Sequence, residues 1–343
     1  MRICIFSRPF HPAVGGIEQI AKTLAFEFSS ASCDVEVVTD TKEYEHESDK
    51  FQFKITRTSS YFERYAAFRR ADVVLFMNFT FAGVPIALLA RRPIVLSHHG
   101  IYKFRGPLIT TLLEFTKKQL TRFFANISVS QFVAENLPTK SNVIPNAYDE
   151  KLFTCSQAPR SRDFVFCGRL VSDKGVDVLI NAFSSVHISF PGATLTIIGD
   201  GPELLALKEQ IKFNNLSGNV EFTGILRDQY LVTKLREHCC MVIPSLWQEP
   251  FGIVALEGIA SCDTVISSNR GGLPEAVGNC GVLINPTVEN LAATMQTVLR
   301  AREQGVALPG QPTHAQRTAH LLRHAPKQVA QRYLDVCRAA IQS

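Results

Sequence analysis

The chain has 343 residues, 46% hydrophobic and 20% charged, with a net charge of +5 and a mean hydropathy close to zero. That balance excludes collagen, coiled coil and extended disorder, and no run nears the roughly 20 apolar residues of a membrane span. At this length one hydrophobic core has usually stopped growing, so two domains of roughly 150–180 residues are expected. The nine cysteines are odd in number and none forms a C-x-x-C pair, which points to a reduced, cytoplasmic chain rather than a disulfide framework or zinc site. Arg2 precedes only the short run Ile3 to Phe6, which reads as a buried strand and not as a signal peptide.

Short runs rich in Val, Ile and Phe alternate with amphipathic stretches, the pattern of βα units around parallel sheets. In the first half the predicted strands are Arg2–Ser7, Asp34–Asp40, Asp72–Asn78, Pro93–His98, Asn126–Ser130 and Asn142–Pro145. In the second half they are Phe164–Gly168, Ala193–Ile198, Val220–Thr223, Met241–Pro244, Thr264–Ser267 and Gly281–Asn285. The expected division is residues 1–150, a polar, proline-interrupted linker at 151–163, a second domain at 164–323, and a last helix at 324–343 able to pack on either domain.

Ligands of open α/β sheets bind beyond the carboxyl ends of the strands, so the loops after the predicted strands are the places to search. After the first comes Gly15-Gly16 at the start of an amphipathic helix, where bare amides and the positive helix end suit a phosphate, although such a pair is more often just a turn. It is not the G-x-G-x-x-G dinucleotide fingerprint, which argues against a nicotinamide dehydrogenase. Ser97-His98-His99-Gly100 ends another strand, and its histidines suit either packing or a base or phosphate partner. Gly168-Arg169, with Lys174-Gly175 just before a helix, brings two cations to one anion or forms a solvated turn. Glu249-Pro250-Phe251-Gly252 places one carboxylate in a loop, while Glu257 falls over one turn into the following helix. The pair either flanks a ligand or comprises a capping acid and a solvated helix acid.

Eight motifs then stand in order: Gly15-Gly16-Ile17-Glu18, Ser97-His98-His99-Gly100, Val143-Ile144-Pro145-Asn146, Gly168-Arg169-Leu170 with Lys174-Gly175, Gly199-Asp200-Gly201-Pro202-Glu203, Phe222-Thr223-Gly224, Glu249-Pro250-Phe251-Gly252 with Glu257, and Gly271-Gly272-Leu273-Pro274-Glu275. Over nearly its whole length the chain resembles glycosyltransferase family 4, retaining nucleotide-sugar transferases of GT-B architecture, with two Rossmann-like doubly wound parallel-sheet domains facing across a cleft. The resemblance implies that Arg169, Lys174 and the Gly15 and Gly16 amides hold the donor diphosphate, and that Glu257 holds the ribose. It also implies that Glu249 and the Phe251, Gly252 and Ile253 amides hold the sugar hydroxyls, that the base lies against Gly224, Ile225 and Leu226, and that His99 sits by the transferred sugar.

The chemistry is consistent with those roles. Negative charge grows on the leaving diphosphate, and two cations with helix-end dipoles stabilise it. No Asp-x-Asp motif offers a metal site, and Glu43-x-Glu45-x-Glu47 reads as a solvated loop, so transfer without a metal or other cofactor is expected. Three positions depart from the family pattern: Ala147 after Pro-Asn, Cys167 before Gly168, and Gly258-Ile259 after Glu257. An epimerase of the same architecture and a non-enzymatic sugar-nucleotide sensor are the alternatives.

Residues 64–122 carry ten Lys or Arg against Asp72 and Glu114. Overlapping them, the stretch from Gly106 to Asn126 combines Leu108, Ile109, Leu112 and Leu113 with Lys117, Lys118 and Arg122. That helix-like pattern fits either a core helix with a cationic end or a helix lying on an anionic bilayer, as family members that build cell-surface polysaccharides and glycolipids on lipid carriers do. The expected partners are therefore a nucleotide-sugar donor, a glycan or lipid-linked acceptor and an anionic membrane surface on the cytoplasmic side, with no nucleic acid.

Overall fold

The computed structural model describes residues 1–13, 15–42, 51–102, 107–155 and 159–342. The chain forms two compact units, 1–147 with 324–343, and 148–323. The first unit holds a seven-stranded sheet in the order β3-β2-β1-β4-β5-β6-β7. Its strands are β1 (Arg2–Phe6), β2 (Asp34–Thr39), β3 (Lys54–Arg57), β4 (Val73–Met77), β5 (Ile94–His98), β6 (Ala125–Ser128) and β7 (Asn142–Val143). Its helices are α1 (Gly16–Ser30), α2 (Tyr61–Arg70), α3 (Val84–Leu89), α4 (Leu108–Leu120) and α5 (Gln131–Glu135), with α13 (Pro326–Gln342) returning from the end of the chain.

The second unit holds six strands in the order β10-β9-β8-β11-β12-β13. They are β8 (Arg162–Cys167), β9 (Leu195–Ile198), β10 (Val220–Gly224), β11 (His238–Ile243), β12 (Thr264–Ser268) and β13 (Val282–Ile284). The helices are α6 (Val176–Ser189), α7 (Leu204–Phe213), α8 (Asp228–Arg236), α9 (Ile253–Ser261), α10 (Leu273–Val277), α11 (Val288–Glu303) and α12 (His314–Arg323). Every strand pairing in both sheets is parallel.

Parallel strands are covered on both faces, which is why Val73-Val74-Leu75-Phe76-Met77 is buried at every residue. Helix α1 buries Ile20, Ala21, Leu24, Ala25 and Phe28, one stripe at helical spacing. Ser60 caps α2 by accepting the Glu63 amide, and Thr287 caps α11 by accepting that of Asn290. In the second unit Phe164, Phe183, Leu195, Ile197 and Val242 share one core, where each large side chain stabilises by about 1.5–3 kcal/mol through burial.

Two features differ from the expectations, and a third decides between options the sequence left open. Strand β3 was not predicted: Lys54-Ile55-Thr56-Arg57 has one strongly apolar residue and sits half-buried at the sheet edge, so it carries no clear alternation. Strand β8 begins at Arg162, inside the stretch expected to be linker, because Asp163 and Phe164 turn inward. Helix α13 packs on α1, β4, β5 and β6 of the first unit. Among the described residues no helix is long and apolar enough to cross a membrane.

Candidate functional site

Each sheet has one point where the strand order reverses, and there the loops diverge and leave room for a ligand. In the second unit that point lies between β8 and β11. The loop after β8 carries Gly168, Arg169 and Lys174 into α6, and the loop after β11 carries Ser245 and Glu249 into α9. The two loops are tied together, since the Leu246 and Trp247 amides both donate to the Asp173 carbonyl at 2.9 and 3.1 Å. Gly175 permits this approach: it has φ +69°, and a Cβ there would overlap the Pro244 carbonyl. Gly271, at φ +59°, likewise lies against the Glu249 backbone, and the Gly272 amide donates to the Glu249 carbonyl at 2.7 Å.

The side chains on these loops are assembled unevenly. Lys174 Nζ is paired with Glu249 Oε1, to which Ser245 Oγ donates at 2.9 Å. Two residues expected at different parts of a donor are thus partnered with each other. Arg169 is exposed and, among the described residues, has no side-chain partner. Phe251 is buried and plugs the core just before α9, whose cap residue Gly252 has φ +103°. The first helical amide is that of Ile253, and Glu257 follows four residues later on α9. At the other side of the sheet, the Gly199 amide donates to the Gly224 carbonyl at 2.9 Å, which fixes the end of β10 where Leu226 follows.

Among the described residues no cation is paired with Glu257. Burial, then the nearby Asp149 carboxylate, push its pKa from 4.5 up to about 7, so near neutral pH it is poised between acid and carboxylate. It is close enough to Cys167 to add to the burial that pushes that thiol up to about 12. Two of the family departures have a local setting: Cys167 ends β8 beside Glu257, and Gly258 gives way to Met241, whose sulfur a Cβ at 258 would press.

In the first unit the reversal falls between β1 and β4. A cavity of about 520 Å³ opens there, lined by Arg8, Thr41, Asn78, Thr80 and Lys117 among others. Asp40, also on its wall, is held by Arg8 at 2.8 Å and by the buried Arg64 at 2.5 Å. Gly15 and Gly16 open α1 as expected, but the Glu18 carboxylate folds back over Gly15. An anion reaching those amides meets a resident negative charge. The stretch Glu43-x-Glu45-x-Glu47 lies outside the described residues.

The two histidines separate cleanly. His98 is buried, with Nε2 bonded to Asn126 Oδ1 at 2.8 Å and Nδ1 to the Tyr102 hydroxyl at 3.2 Å, a satisfied core residue. His99 is half-buried at the end of β5; its amide donates to Asn78 Oδ1 at 2.8 Å, and its Nε2 lies 2.8 Å from Ser97 Oγ. Burial and then neighbouring His98 push the His99 pKa down to about 3, so it is neutral at physiological pH. Ser245 and Asn78 carried no sequence signal as site residues, and Ser97 stood in a motif read for its histidines, because each acts through a partner fixed only by the fold.

Helix α4 buries none of its residues. Leu108 and Ile109 are 83% and 73% exposed, and Leu112 and Leu113 are exposed beside them, so this is not a core helix.

Two doubly wound parallel units, with cations, carboxylates and helix starts at the reversal point of the second, define the GT-B architecture. Comparison with known proteins narrows the class. The model for Glycosyltransferase Family 4 matches residues 14–152, and that for Glycosyl transferases group 1 matches 151–308. The chain belongs to glycosyltransferase family 4. It is 36% identical over 163 residues to the glycogen synthase of Mycobacterium tuberculosis, covering 46% of this chain and 39% of that protein. It is 32% identical over 217 residues to the phosphatidylinositol N-acetylglucosaminyltransferase gpi3 subunit of Schizosaccharomyces pombe, covering 59% and 46%. The chain thus spans less than half the length of these two curated relatives. Its fold matches that of Anabaena Alr3699/HepE in complex with UDP, with a TM-score of 0.83, 20% identity and coverage of 99% and 100%.

Proposed function

We propose that the protein is a retaining glycosyltransferase that moves a sugar from a nucleotide diphosphate sugar to a glycan or lipid-linked acceptor, without a metal. The observation that carries this reading is the grouping of Arg169, Lys174, Glu249 and Glu257 around the starts of α6 and α9 at the sheet's reversal point. Lys174 leaves Glu249 for the incoming diphosphate, and Glu249 is then released to accept hydrogen bonds from the sugar hydroxyls. Arg169 and Lys174 neutralise the charge that builds on the leaving group, the task a metal performs elsewhere. Glu257, as the carboxylate, accepts both hydroxyls of the ribose. The Gly252 and Ile253 amides add donors at the sugar, and the segment from Gly224 to Leu226 forms the wall for the base.

On the first unit, His99 is assigned a role at the transferred sugar and the Gly15 and Gly16 amides one at the diphosphate, which requires Glu18 to swing aside. The 520 Å³ cavity is the region assigned to the acceptor. The leaving phosphate assists departure and attack on one face, preserving the anomeric configuration. Uridine donors come first because HepE was crystallised with UDP and UDP-glucose, while guanosine donors stay in view through the relative described as a GDP-mannose-dependent mannosyltransferase. The exposed apolar face of α4, with Lys117 and Lys118 in its last turn, supports attachment to an anionic membrane carrying a lipid-linked acceptor.

The test is incubation with a panel of uridine, guanosine and adenosine diphosphate sugars and with extracted glycans and lipids, in EDTA. Released nucleotide is read by mass spectrometry and the product anomer by proton NMR. Transfer with the donor's anomeric configuration kept is the expected result. Donor binding without transfer to any acceptor favours the sensor reading, and turnover without an acceptor favours the epimerase.

A further inference from the structure

His99 is held by hydroxyl groups that connect it to the far end of the chain. Ser97 Oγ lies 2.8 Å from His99 Nε2 and 2.7 Å from the Tyr333 hydroxyl. Ser97 is fully buried in β5, and Tyr333, on α13, is 1% exposed. All three belong to the same compact unit.

The protons of this chain follow from counting donors and acceptors. If His99 carried its proton on Nε2 it would donate to Ser97, Ser97 would donate to Tyr333, and the phenol proton would need a further acceptor. Among the described residues Tyr333 has only Ser97 as a hydrogen-bond partner. If Tyr333 and His99 both donated to Ser97 Oγ, the serine proton would be stranded instead. Buried donors are rarely left unpaired. One arrangement satisfies every group: Tyr333 donates to Ser97, Ser97 donates to Nε2, and neutral His99 carries its proton on Nδ1. The environment agrees: burial and His98 lower the His99 pKa to about 3 against a side-chain hydrogen bond with Asn146, a partner for the ring nitrogen that Ser97 does not hold, and burial raises the pKa of Tyr333.

We propose that Tyr333 and Ser97 are positioning residues for His99: they fix its ring and tautomer, so that its proton stays on Nδ1, the nitrogen not facing Ser97. The inference rests on the role assigned to His99 above, and it makes α13 part of the machinery of the first unit.

The test uses the full chain labelled with ¹⁵N-histidine and read by two-bond proton–nitrogen correlation, with His99 assigned by the signals lost in His99→Asn. The wild type is expected to show the Nδ1–H form. Tyr333→Phe, which keeps the ring, and separately Ser97→Ala, are expected to mix the two tautomers. Each should lower kcat on the order of tenfold, as lost outer partners commonly do, with donor Kd within about twofold. An Nε2–H wild type, an unchanged His99 pattern in Tyr333→Phe, or an unchanged kcat in a variant whose tautomer has shifted would each overturn the proposal. The spectra need neither donor nor acceptor. Correct spectra without any transfer activity would therefore count against the proposed function and leave the tautomer assignment standing, whereas an active enzyme with unmoved spectra would remove the relay.

Discussion

Replacing Glu257 by Gln should stabilise the free protein while weakening donor binding, and both effects should depend on pH. Displacing this carboxyl from 4.5 to about 7 costs its ionised form about 3 kcal/mol in the folded state. Because the folded protein holds this proton more tightly than the unfolded chain, the group's stabilising contribution is full below pH 4.5 and is lost as pH rises to about 7. Glu257→Gln removes that cost, so its thermal midpoint should exceed the wild type's by several degrees at pH 8 and match it near pH 4.5. Donor binding has the opposite sign. A carboxylate accepting both ribose hydroxyls must be ionised, and with a pKa of about 7 it is mostly ionised at pH 8 and mostly neutral at pH 6. Wild-type affinity should therefore fall about tenfold from pH 8 to pH 6, with protons released on binding near pH 7. Calorimetry in buffers of differing ionisation enthalpy reads both quantities, and Glu257→Gln should flatten the profile. A flat wild-type profile, or a variant that is destabilised at pH 8, would rule out a buried, ribose-binding Glu257.

Other perturbations test the remaining parts. Lys174→Ala deletes a charge-assisted contact to the diphosphate and leaves Glu249 without its cation, so donor Kd should rise by about 10–100-fold; unchanged affinity by calorimetry would remove Lys174 from the site. His99→Ala should lower kcat on the order of 100-fold with donor affinity kept, and steady-state kinetics showing only a raised KM would contradict its role. Liposomes containing anionic lipid should pull the protein down at low ionic strength and release it as salt rises, with Leu108→Glu and Lys117→Glu each weakening capture. Salt-independent capture, or none, rules out the membrane surface.

The two sheets were legible because parallel strands are apolar on both faces: Val73 to Met77 announces itself, whereas Lys54 to Arg57, half-buried at an edge, does not. The loops of the candidate site were legible through glycines and charges held at fixed distances from those strands. The pairing of Lys174 with Glu249, 75 residues apart, was not, since each residue alone suits a ligand equally well. Neither was the tie from Ser97 to Tyr333 across 236 residues, which exists only because α13 returns to β4 and β5. The character of Glu257 was hidden for a related reason: its raised pKa comes from burial and from Asp149, a neighbour supplied by the fold.

The proposed nucleotide-sugar site works without a metal. The most direct measurement is the thermal midpoint of the purified protein in EDTA against uridine, guanosine and adenosine diphosphate sugars, with NAD as control. A ligand at about 100 times its Kd stabilises by about 2.7 kcal/mol, a rise of several degrees for units of this size. Such a rise is expected with one nucleotide class; a rise with NAD alone, or only after a divalent metal is restored, would rule out a metal-free donor site.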